Sequence, residues 1–259
     1  MAGLLDWYNY VVYDLADRRS DEHWLMNSPI PMLCIAISYL LFVNVVGPRF
    51  MKNRPAFKLD TIIQGYNLLQ IALCTYLLIS IHKIRKYNVI FFCEAPNYST
   101  TEEGLETSRL SWFYFMLKLV DLSDTVFFIL RKKFSQVTFL HVYHHAMMFV
   151  FVWGIVRYVP GGHGSIVGYI NSYVHILMYG YYFVTNRWPE YKKNLWWKKY
   201  ITTVQIVQFL IIFVATVPLL FMSCPYPNIM TYLILIQNGM MLKMFTDFYR
   251  KAYMSKKDK

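Results

Sequence analysis

The stretch VTFLHVYHHAMMFVFVWGIVRY, residues 137–158, is an almost unbroken apolar run. An apolar run of about 20 residues is long enough to cross the hydrocarbon core of a bilayer as one α-helix. This run also carries three histidines, His141, His144 and His145. Imidazoles in such a place can bind a metal, carry a covalent intermediate or hydrogen-bond within a packed core. The rest of the chain has to decide between these uses.

Further apolar runs of similar length occur along the chain. Of its 259 residues, 56% are hydrophobic and 19% aromatic, and they fall into long blocks, which is unusual for a soluble domain. We therefore predict an all-α integral membrane protein with seven transmembrane helices, in one domain covering residues 1–259. The predicted spans are 30–46, 61–81, 111–130, 137–158, 166–184, 201–222 and 229–248.

The basic residues indicate the orientation of these spans. Most of the 26 Lys and Arg residues fall in the loops of one side, which we expect to be cytosolic. Residues 250–259 are then a cytosolic tail, and residues 1–28 are a lumenal N-terminal segment. Acidic residues interrupt this segment early, which is not typical of a cleavable signal peptide.

This topology bears on the cysteines. Cys93 and Cys224 both fall in loops on the lumenal side, where disulfides persist, and we predict a bond between them. The alternative is two unrelated free thiols. Asn97 opens the sequon NYS on the same side and is a candidate glycosylation site.

Polar residues follow helical spacing in four predicted spans. Residues three or four apart share one helix face, and ionisable groups inside a membrane are functional by default. Each row of polar side chains could instead fix helix packing, for example through an ion pair between Lys118 and Asp121. Four rows together predict one polar cavity. The rows are Lys118, Asp121, Asp124 and Thr125; His141, His144 and His145; His175, Met178, Tyr179 and Tyr182; and Thr202, Gln205 and Gln208.

The histidines allow two kinds of chemistry. Membrane di-iron desaturases and hydroxylases use HxxHH boxes but need about eight histidines, whereas this chain has 7. A mononuclear zinc site is open as well. Neutral imidazole is also a nucleophile and proton carrier that can hold an acyl group. We expect the other histidines, His23, His82 and His163, to be solvated.

Four motifs in order on consecutive spans carry a resemblance. KLVDLSDT (118–125), HVYHH (141–145), HILMYGYY (175–182) and TVQIVQ (203–208) resemble the motif set of the animal very-long-chain fatty acid elongases. These are 3-ketoacyl-CoA synthases of the endoplasmic reticulum membrane, and the resemblance covers about residues 27–251. The family usually has Glu where this chain has Asp121.

The resemblance implies an acyltransferase, a very-long-chain 3-oxoacyl-CoA synthase. It would condense acyl-CoA with malonyl-CoA to 3-ketoacyl-CoA, releasing CO2 and CoA. Helices two to seven would form a barrel around an acyl tunnel, with CoA at the cytosolic mouth. His144 would be the nucleophile that holds the acyl group, assisted by His141, His145 and His175, with no metal or other cofactor. The supporting residues would be Lys118, Asp121, Asp124, Asn171, Tyr179, Tyr182, Gln205 and Gln208.

Basic residues at the predicted cytosolic ends of the spans have two readings. They can set topology alone, or they can bind the phosphates of CoA; the residues are Arg131, Lys132, Lys133, Lys198 and Lys199. Lys256 and Lys257 have the spacing of a dilysine retrieval signal to the endoplasmic reticulum. Expected partners are the lipid bilayer and the ketoacyl-CoA reductase, dehydratase and enoyl reductase of the cycle, and no nucleic acid. A homo-oligomer is left open.

The sequence also leaves two alternatives in function. One is a metal-dependent membrane desaturase or hydroxylase, and the other is a receptor or transporter that performs no chemistry. The acyl chain length and unsaturation preferred by an elongase are open, although the absence of Trp from HVYHH favours longer or more unsaturated chains.

Overall fold

A computed structural model describes residues 2–85, 93–193 and 195–254. The described residues form helices and no β-strand; an isolated bridge pairs Pro96 with Gly161. The α-helices are α1 (Ala2–Asn9), α2 (Pro29–Leu41), α3 (Gly47–Met51), α4 (Asp60–Ile84), α5 (Glu102–Asp121), α6 (Ser123–Leu130), α7 (Phe139–Tyr158), α8 (Ser165–Arg187), α9 (Leu195–Thr216) and α10 (Asn228–Tyr249).

Four helical segments are long and apolar enough to cross a membrane: Pro29–Met51, Asp60–Ile84, Phe139–Tyr158 and Trp196–Leu220. Each coincides with a predicted span. The other three predicted spans are also helical, as α5 with α6, α8 and α10. The all-α class is therefore present in the described residues, while seven membrane crossings stay a prediction.

Three predicted spans are not continuous α-helices, and the sixth of the seven passes from α9 into a 3-10 segment, Val217–Leu220. A π-helical segment, Phe42–Val46, joins α2 to α3. The third predicted span is divided at Leu122, a turn residue whose backbone (φ −60°, ψ −24°) stays close to helical values. Because that turn lies between Asp121 and Asp124, these two carboxylates belong to different helices.

Side chains define where the helices begin. The Ser28 hydroxyl accepts the Ile30 N–H at the start of α2, where Pro29 occupies the first turn. Thr101 and Thr138 cap α5 and α7 in the same way. Such caps satisfy backbone donors that have no partner inside the helix, which stabilises a helix by about 1 kcal/mol each.

The chain divides into two compact units. Unit 1 contains residues 1–57 and 96–162; unit 2 contains residues 58–95 and 163–259. In unit 1, α7 packs against α2 and α5, and α3 packs against α6. The stacked rings of Phe115 and Phe149, 5.1 Å apart, lie in the α5–α7 contact.

The N-terminal segment is anchored within unit 1. The fully buried Arg157 guanidinium binds the Ser20 hydroxyl and the Asp21 carboxylate, and also donates to the Val12 carbonyl. The Trp153 indole donates to the Leu25 carbonyl at 2.9 Å. A buried arginine is tolerated only with such partners, so these contacts fix the segment against α7.

In unit 2, α4 runs antiparallel to α8. The Asn186 amide near the end of α8 reaches the Asp60 carbonyl at the start of α4, and the Tyr169 hydroxyl near the start of α8 reaches His82 near the end of α4. Helix α9 packs against both α8 and α10.

Two features at the predicted lumenal end of unit 2 concern earlier predictions. The predicted bond between Cys93 and Cys224 is present, with 5.6 Å between the Cα atoms.

The expectation that His163 is solvated is wrong. Its side chain is buried, with Nε2 3.0 Å from the Thr216 hydroxyl and its ring beside Tyr226. Burial is possible because the ring finds a partner that the sequence could not indicate.

Candidate active site

The histidine box lies in the first two turns of α7. The Thr138 hydroxyl accepts the His141 N–H at 3.3 Å, so the helix starts just before the box. The rings of His141 and His145 are 4.3 Å apart, and those of His144 and His145 are 5.5 Å apart. All three side chains are partly exposed. The predicted shared face is therefore a cluster of imidazoles in the structure.

A buried ion pair lies beside this cluster. Lys118 Nζ is 2.6 Å from Asp121 Oδ2, and both side chains are buried. The ammonium also lies over the Tyr114 ring, 4.9 Å from its centroid. Both charges are close enough to His144 to act on its imidazole. The pair therefore contributes to the electrostatic environment of the box.

Two hydroxyl groups connect the box to neighbouring helices. Thr125 Oγ1 on α6 is 2.9 Å from His141 Nε2, and the Tyr39 hydroxyl on α2 is 2.8 Å from Thr125 Oγ1. Asp124 is near enough to act electrostatically on Tyr39. Unit 1 therefore gathers Lys118, Asp121 and Asp124 with the three histidines of the box.

Unit 2 holds the other predicted residues. The His175 and Tyr179 rings are 5.4 Å apart, edge to face, and the Tyr182 ring lies 6.0 Å from that of Tyr179. The Tyr179 hydroxyl is 3.4 Å from the Tyr66 hydroxyl and accepts from Gln70 Nε2 at 3.3 Å. Two side chains of α4 therefore orient the tyrosine that contacts His175.

The motif of α9 also meets α8 within unit 2. Asn171 Nδ2 donates to Gln208 Oε1 at 3.3 Å, and Gln205 Nε2 lies 3.4 Å from the Met178 sulfur. The predicted faces of the fifth and sixth spans are therefore in contact. Unit 1 holds the histidine box and unit 2 holds His175, and each group has its own set of partners.

Sequence reasoning missed three residues that support these groups: Tyr39, Tyr66 and Gln70. A signal was available for two of them, because GYNLLQ (65–70) places polar side chains inside an apolar span. Tyr39 gave no such signal, since a single tyrosine is common in an apolar helix.

The predicted CoA-binding cations occupy helix ends. After α6, Lys132 adopts a left-handed backbone (φ +54°), and the Lys133 N–H returns to the Phe128 carbonyl at 2.8 Å, which closes the helix. Lys198 and Lys199 are exposed in the first turn of α9, and Lys199 Nζ lies 5.9 Å from the Tyr249 ring centroid. Contact of these cations with CoA stays a prediction.

Three further sequence predictions stay predictions. Across residues 2–85, 93–193 and 195–254, no three His, Cys, Asp or Glu side chains converge as a metal-binding group. Asn97 Oδ1 accepts from both the backbone N–H and the hydroxyl of Ser99, and glycosylation of Asn97 is untested. The candidate retrieval residues Lys256 and Lys257 lie outside the described residues.

Comparison with known proteins gives consistent matches over nearly the whole chain. A model of the GNS1/SUR4 (ELO) family matches residues 24–259. A very long chain fatty acid elongase of Aedes aegypti is 38% identical over 257 residues, which is 98% of this chain and 71% of that protein. Very long chain fatty acid elongase 7 of Drosophila melanogaster is 37% identical over 254 residues, 95% of this chain and 77% of that protein. Human very long chain fatty acid elongase 4 is 36% identical over 243 residues, 93% and 77% of the two chains.

Proposed function

Since this chain belongs to the GNS1/SUR4 (ELO) family, with very long chain fatty acid elongases among its relatives, we propose that it catalyses the condensing step of fatty acid elongation. The substrates would be a long-chain or very-long-chain acyl-CoA and malonyl-CoA. The observation that carries this proposal is the cluster of His141, His144 and His145 beside the buried Lys118–Asp121 pair.

The reaction proceeds in two half-reactions. In the first, a neutral ring nitrogen of His144 attacks the thioester carbon of the acyl-CoA. The carbon–sulfur bond breaks, and CoA leaves as a thiol after it takes up the proton released from the imidazole. The acyl group then remains on the enzyme as an acyl-imidazole.

In the second half-reaction, malonyl-CoA loses CO2, and the electron pair of the broken carbon–carbon bond becomes the enolate of acetyl-CoA. This carbanion attacks the acyl-imidazole carbon, and the carbon–nitrogen bond breaks. The departing imidazole nitrogen takes up one proton from solvent, which regenerates neutral His144. The product is a 3-ketoacyl-CoA that is two carbons longer than the starting acyl chain. No metal or other cofactor is needed for either half-reaction.

The neighbouring groups have defined parts in this scheme. His145, whose ring lies 5.5 Å from that of His144, moves protons or donates to the oxyanion that forms at the thioester carbonyl. For His175 the family resemblance implies a part in proton movement or oxyanion stabilisation as well. The Lys118–Asp121 pair keeps the positions and charges around His144 fixed, and a preformed environment of this kind lowers the cost of charge development.

The membrane arrangement is also part of the proposal. We expect seven membrane crossings, with the second to seventh spans enclosing the acyl chain. We expect the basic residues at Arg131–Lys133 and Lys198–Lys199 to bind CoA on the cytosolic side. The endoplasmic reticulum is the expected compartment. The family relationship, the four long apolar helices and the Cys93–Cys224 disulfide, whose two cysteines the seven-span topology places on one side, support this arrangement.

The decisive experiment uses purified full-length protein with a series of acyl-CoA substrates and radiolabelled malonyl-CoA. Labelled 3-ketoacyl-CoA is expected from the wild type and none above background from His144→Ala. Intact mass spectrometry after incubation with acyl-CoA alone is expected to show one added acyl group in the wild type and none in this variant.

A matched control is His23→Ala, since His23 lies on the N-terminal segment beside Trp112 and outside the histidine box, and its product yield is expected to equal that of the wild type. If His144→Ala forms as much product as the wild type, the nucleophile is another residue. If the wild type forms no 3-keto product with any acyl-CoA, the proposed reaction is wrong.

A further inference from the structure

The first span contributes a hydroxyl group to the histidine box. Tyr39 lies on α2, which is part of the first predicted span. The family resemblance assigns the barrel to the second to seventh spans, so no role in the chemistry would be expected of the first span. Yet the Tyr39 hydroxyl is 2.8 Å from Thr125 Oγ1, which is 2.9 Å from His141 Nε2. Three helices of unit 1, namely α2, α6 and α7, are joined by this chain of hydrogen bonds.

The direction of the chain follows from what each group can donate. A threonine hydroxyl has one hydrogen and therefore donates to only one of its two neighbours here. If it donated to Tyr39, the phenol hydrogen would need another acceptor. Among the described residues, Thr125 is the acceptor that the buried Tyr39 hydroxyl reaches. An unmade hydrogen bond at a buried donor is costly, so Tyr39 donates to Thr125. The same cost applies to the hydrogen of the fully buried Thr125, which is used when Thr125 donates to its other neighbour, His141 Nε2.

This direction determines the tautomer of His141. Because Nε2 accepts a hydrogen bond, the neutral ring carries its proton on Nδ1. The side chain of His141 is partly exposed, whereas Tyr39 and Thr125 are buried, so a ring N–H on the open side has access to solvent or a reactant. Because the lone pair of Nε2 accepts the hydrogen bond from Thr125, it is not available to attack a thioester.

We propose that Tyr39 is a positioning residue of the histidine box, acting through Thr125 to hold His141 as the Nδ1–H tautomer. The held ring lies 4.3 Å from that of His145, so its orientation is passed on to the imidazole beside His144. Within the proposed elongase reaction, this assigns His141 an orienting part and leaves the attack on the thioester to His144. The activity predictions below rest on that proposed function, whereas the tautomer prediction does not.

The first test is spectroscopic and needs no turnover. Nitrogen-15 spectra of ring-labelled histidine in the purified protein distinguish a protonated from an unprotonated Nδ1, and His141→Gln assigns the signal of His141. The wild type is expected to show His141 with a protonated Nδ1 and an unprotonated Nε2. Tyr39→Phe, which removes one oxygen and keeps the ring in place, is expected to give a mixture of both tautomers. Thr125→Val should do the same, and Thr125→Ser should restore the wild-type signal.

The matched control is Tyr98→Phe in the same unit. The Tyr98 hydroxyl also makes one hydrogen bond, a 2.8 Å contact with the Tyr158 carbonyl, but it is far along the chain from the box. This variant loses the same group and is expected to leave the His141 signal unchanged.

The second test measures kinetics with acyl-CoA and malonyl-CoA. Tyr39→Phe is expected to lower kcat about threefold to tenfold, the range of one neutral hydrogen bond, while the KM for acyl-CoA stays the same. A general loss of folding would instead reduce the amount of active enzyme and would move the signals of all 7 histidines towards those of a free imidazole, whereas Tyr39→Phe is expected to change the signal of His141 selectively.

The inference is overturned if wild-type His141 carries its proton on Nε2, or if Tyr39→Phe leaves both the tautomer and kcat unchanged. A wild type that forms no 3-keto product would contradict the proposed function alone, because the spectra still decide whether Tyr39 orients His141.

Discussion

Removing one member of the buried Lys118–Asp121 pair should destabilise this protein strongly. The two side chains are each only 4% exposed and their charged atoms are 2.6 Å apart. A buried charge that loses its partner is not compensated by water, and such changes cost about 3–5 kcal/mol. We therefore expect Lys118→Met and Asp121→Leu each to lower the free energy of unfolding by about that amount. For a chain of this size, that corresponds to a Tm lower by about 6–20 °C.

The double variant separates the cost of an unpaired charge from a general loss of packing. Replacing both members of a buried pair with apolar residues of similar volume is often neutral or stabilising. We therefore expect Lys118→Met/Asp121→Leu to be more stable than either single variant. Asp121→Glu, which carries the residue usual in the family, keeps the charge and adds one methylene to a filled site, so about 1–3 kcal/mol should be lost.

The measurement is the free energy of unfolding in mixed micelles, obtained by titration with a denaturing detergent. The chain provides its own control in Lys243 and Asp247 on α10, a Lys–Asp pair 2.9 Å apart with side chains 78% and 44% exposed. Exposed pairs of this kind contribute about 0.3–0.5 kcal/mol, so Lys243→Met should be nearly neutral. If the double variant at positions 118 and 121 loses the sum of the two single losses, the two charges are not coupled and the reasoning is wrong.

Three further outcomes are expected. Cys93→Ser should lower the free energy of unfolding by about 2–4 kcal/mol, because the bond to Cys224 closes a loop across a sequence separation of 131 residues. Reduction of the wild type should lower the free energy of unfolding by the same amount. Labelling of both thiols in unreduced protein would contradict the bond. Burial lowers the pKa of His23 below 6.5, so the neutral ring is favoured in the folded state and stability should decline as pH falls below about 6.5. Because the His23 ring is partly exposed, the loss of stability should be less than about 1.4 kcal/mol per pH unit. Hydrogen exchange of the N-terminal segment should become faster as pH falls, beyond the intrinsic change of the exchange rate, in the wild type but not in His23→Gln. Gln70→Leu removes a donor to Tyr179 and should lower kcat about twofold to tenfold in the acyl-CoA assay, and an unchanged kcat would refute an orienting role.

The cysteine prediction illustrates what topology can derive from a sequence. Counting apolar runs placed Cys93 and Cys224 on one side of the membrane, and the structure joins them. The same reasoning fails for His163, which was expected to be solvated but lies buried against Thr216. The difference is that sidedness depends on the number of spans between two residues, whereas burial of a loop side chain depends on which distant helix end covers it.

The third predicted span shows a similar limit. Spacing alone put Lys118, Asp121 and Asp124 on one face, and the short contact between Lys118 and Asp121 agrees with it. The turn at Leu122 places Asp124 on a separate helix, α6. Helical periodicity does not reveal such a turn, because the Leu122 backbone stays close to helical values and the spacing of the side chains is nearly kept.

The sequence by itself determined the all-α class of the fold and which polar side chains share a helix face. Long apolar runs predict helices because backbone polar groups in a bilayer must be satisfied internally, and a fixed turn of about 100° per residue decides which side chains share a face. Only the tertiary structure decided which partners those faces meet. Tyr39 reaches Thr125 across 86 residues of sequence, and Gln70 reaches Tyr179 across 109. Such pairings depend on the packing of whole helices against one another, and no local pattern in either segment contains that information.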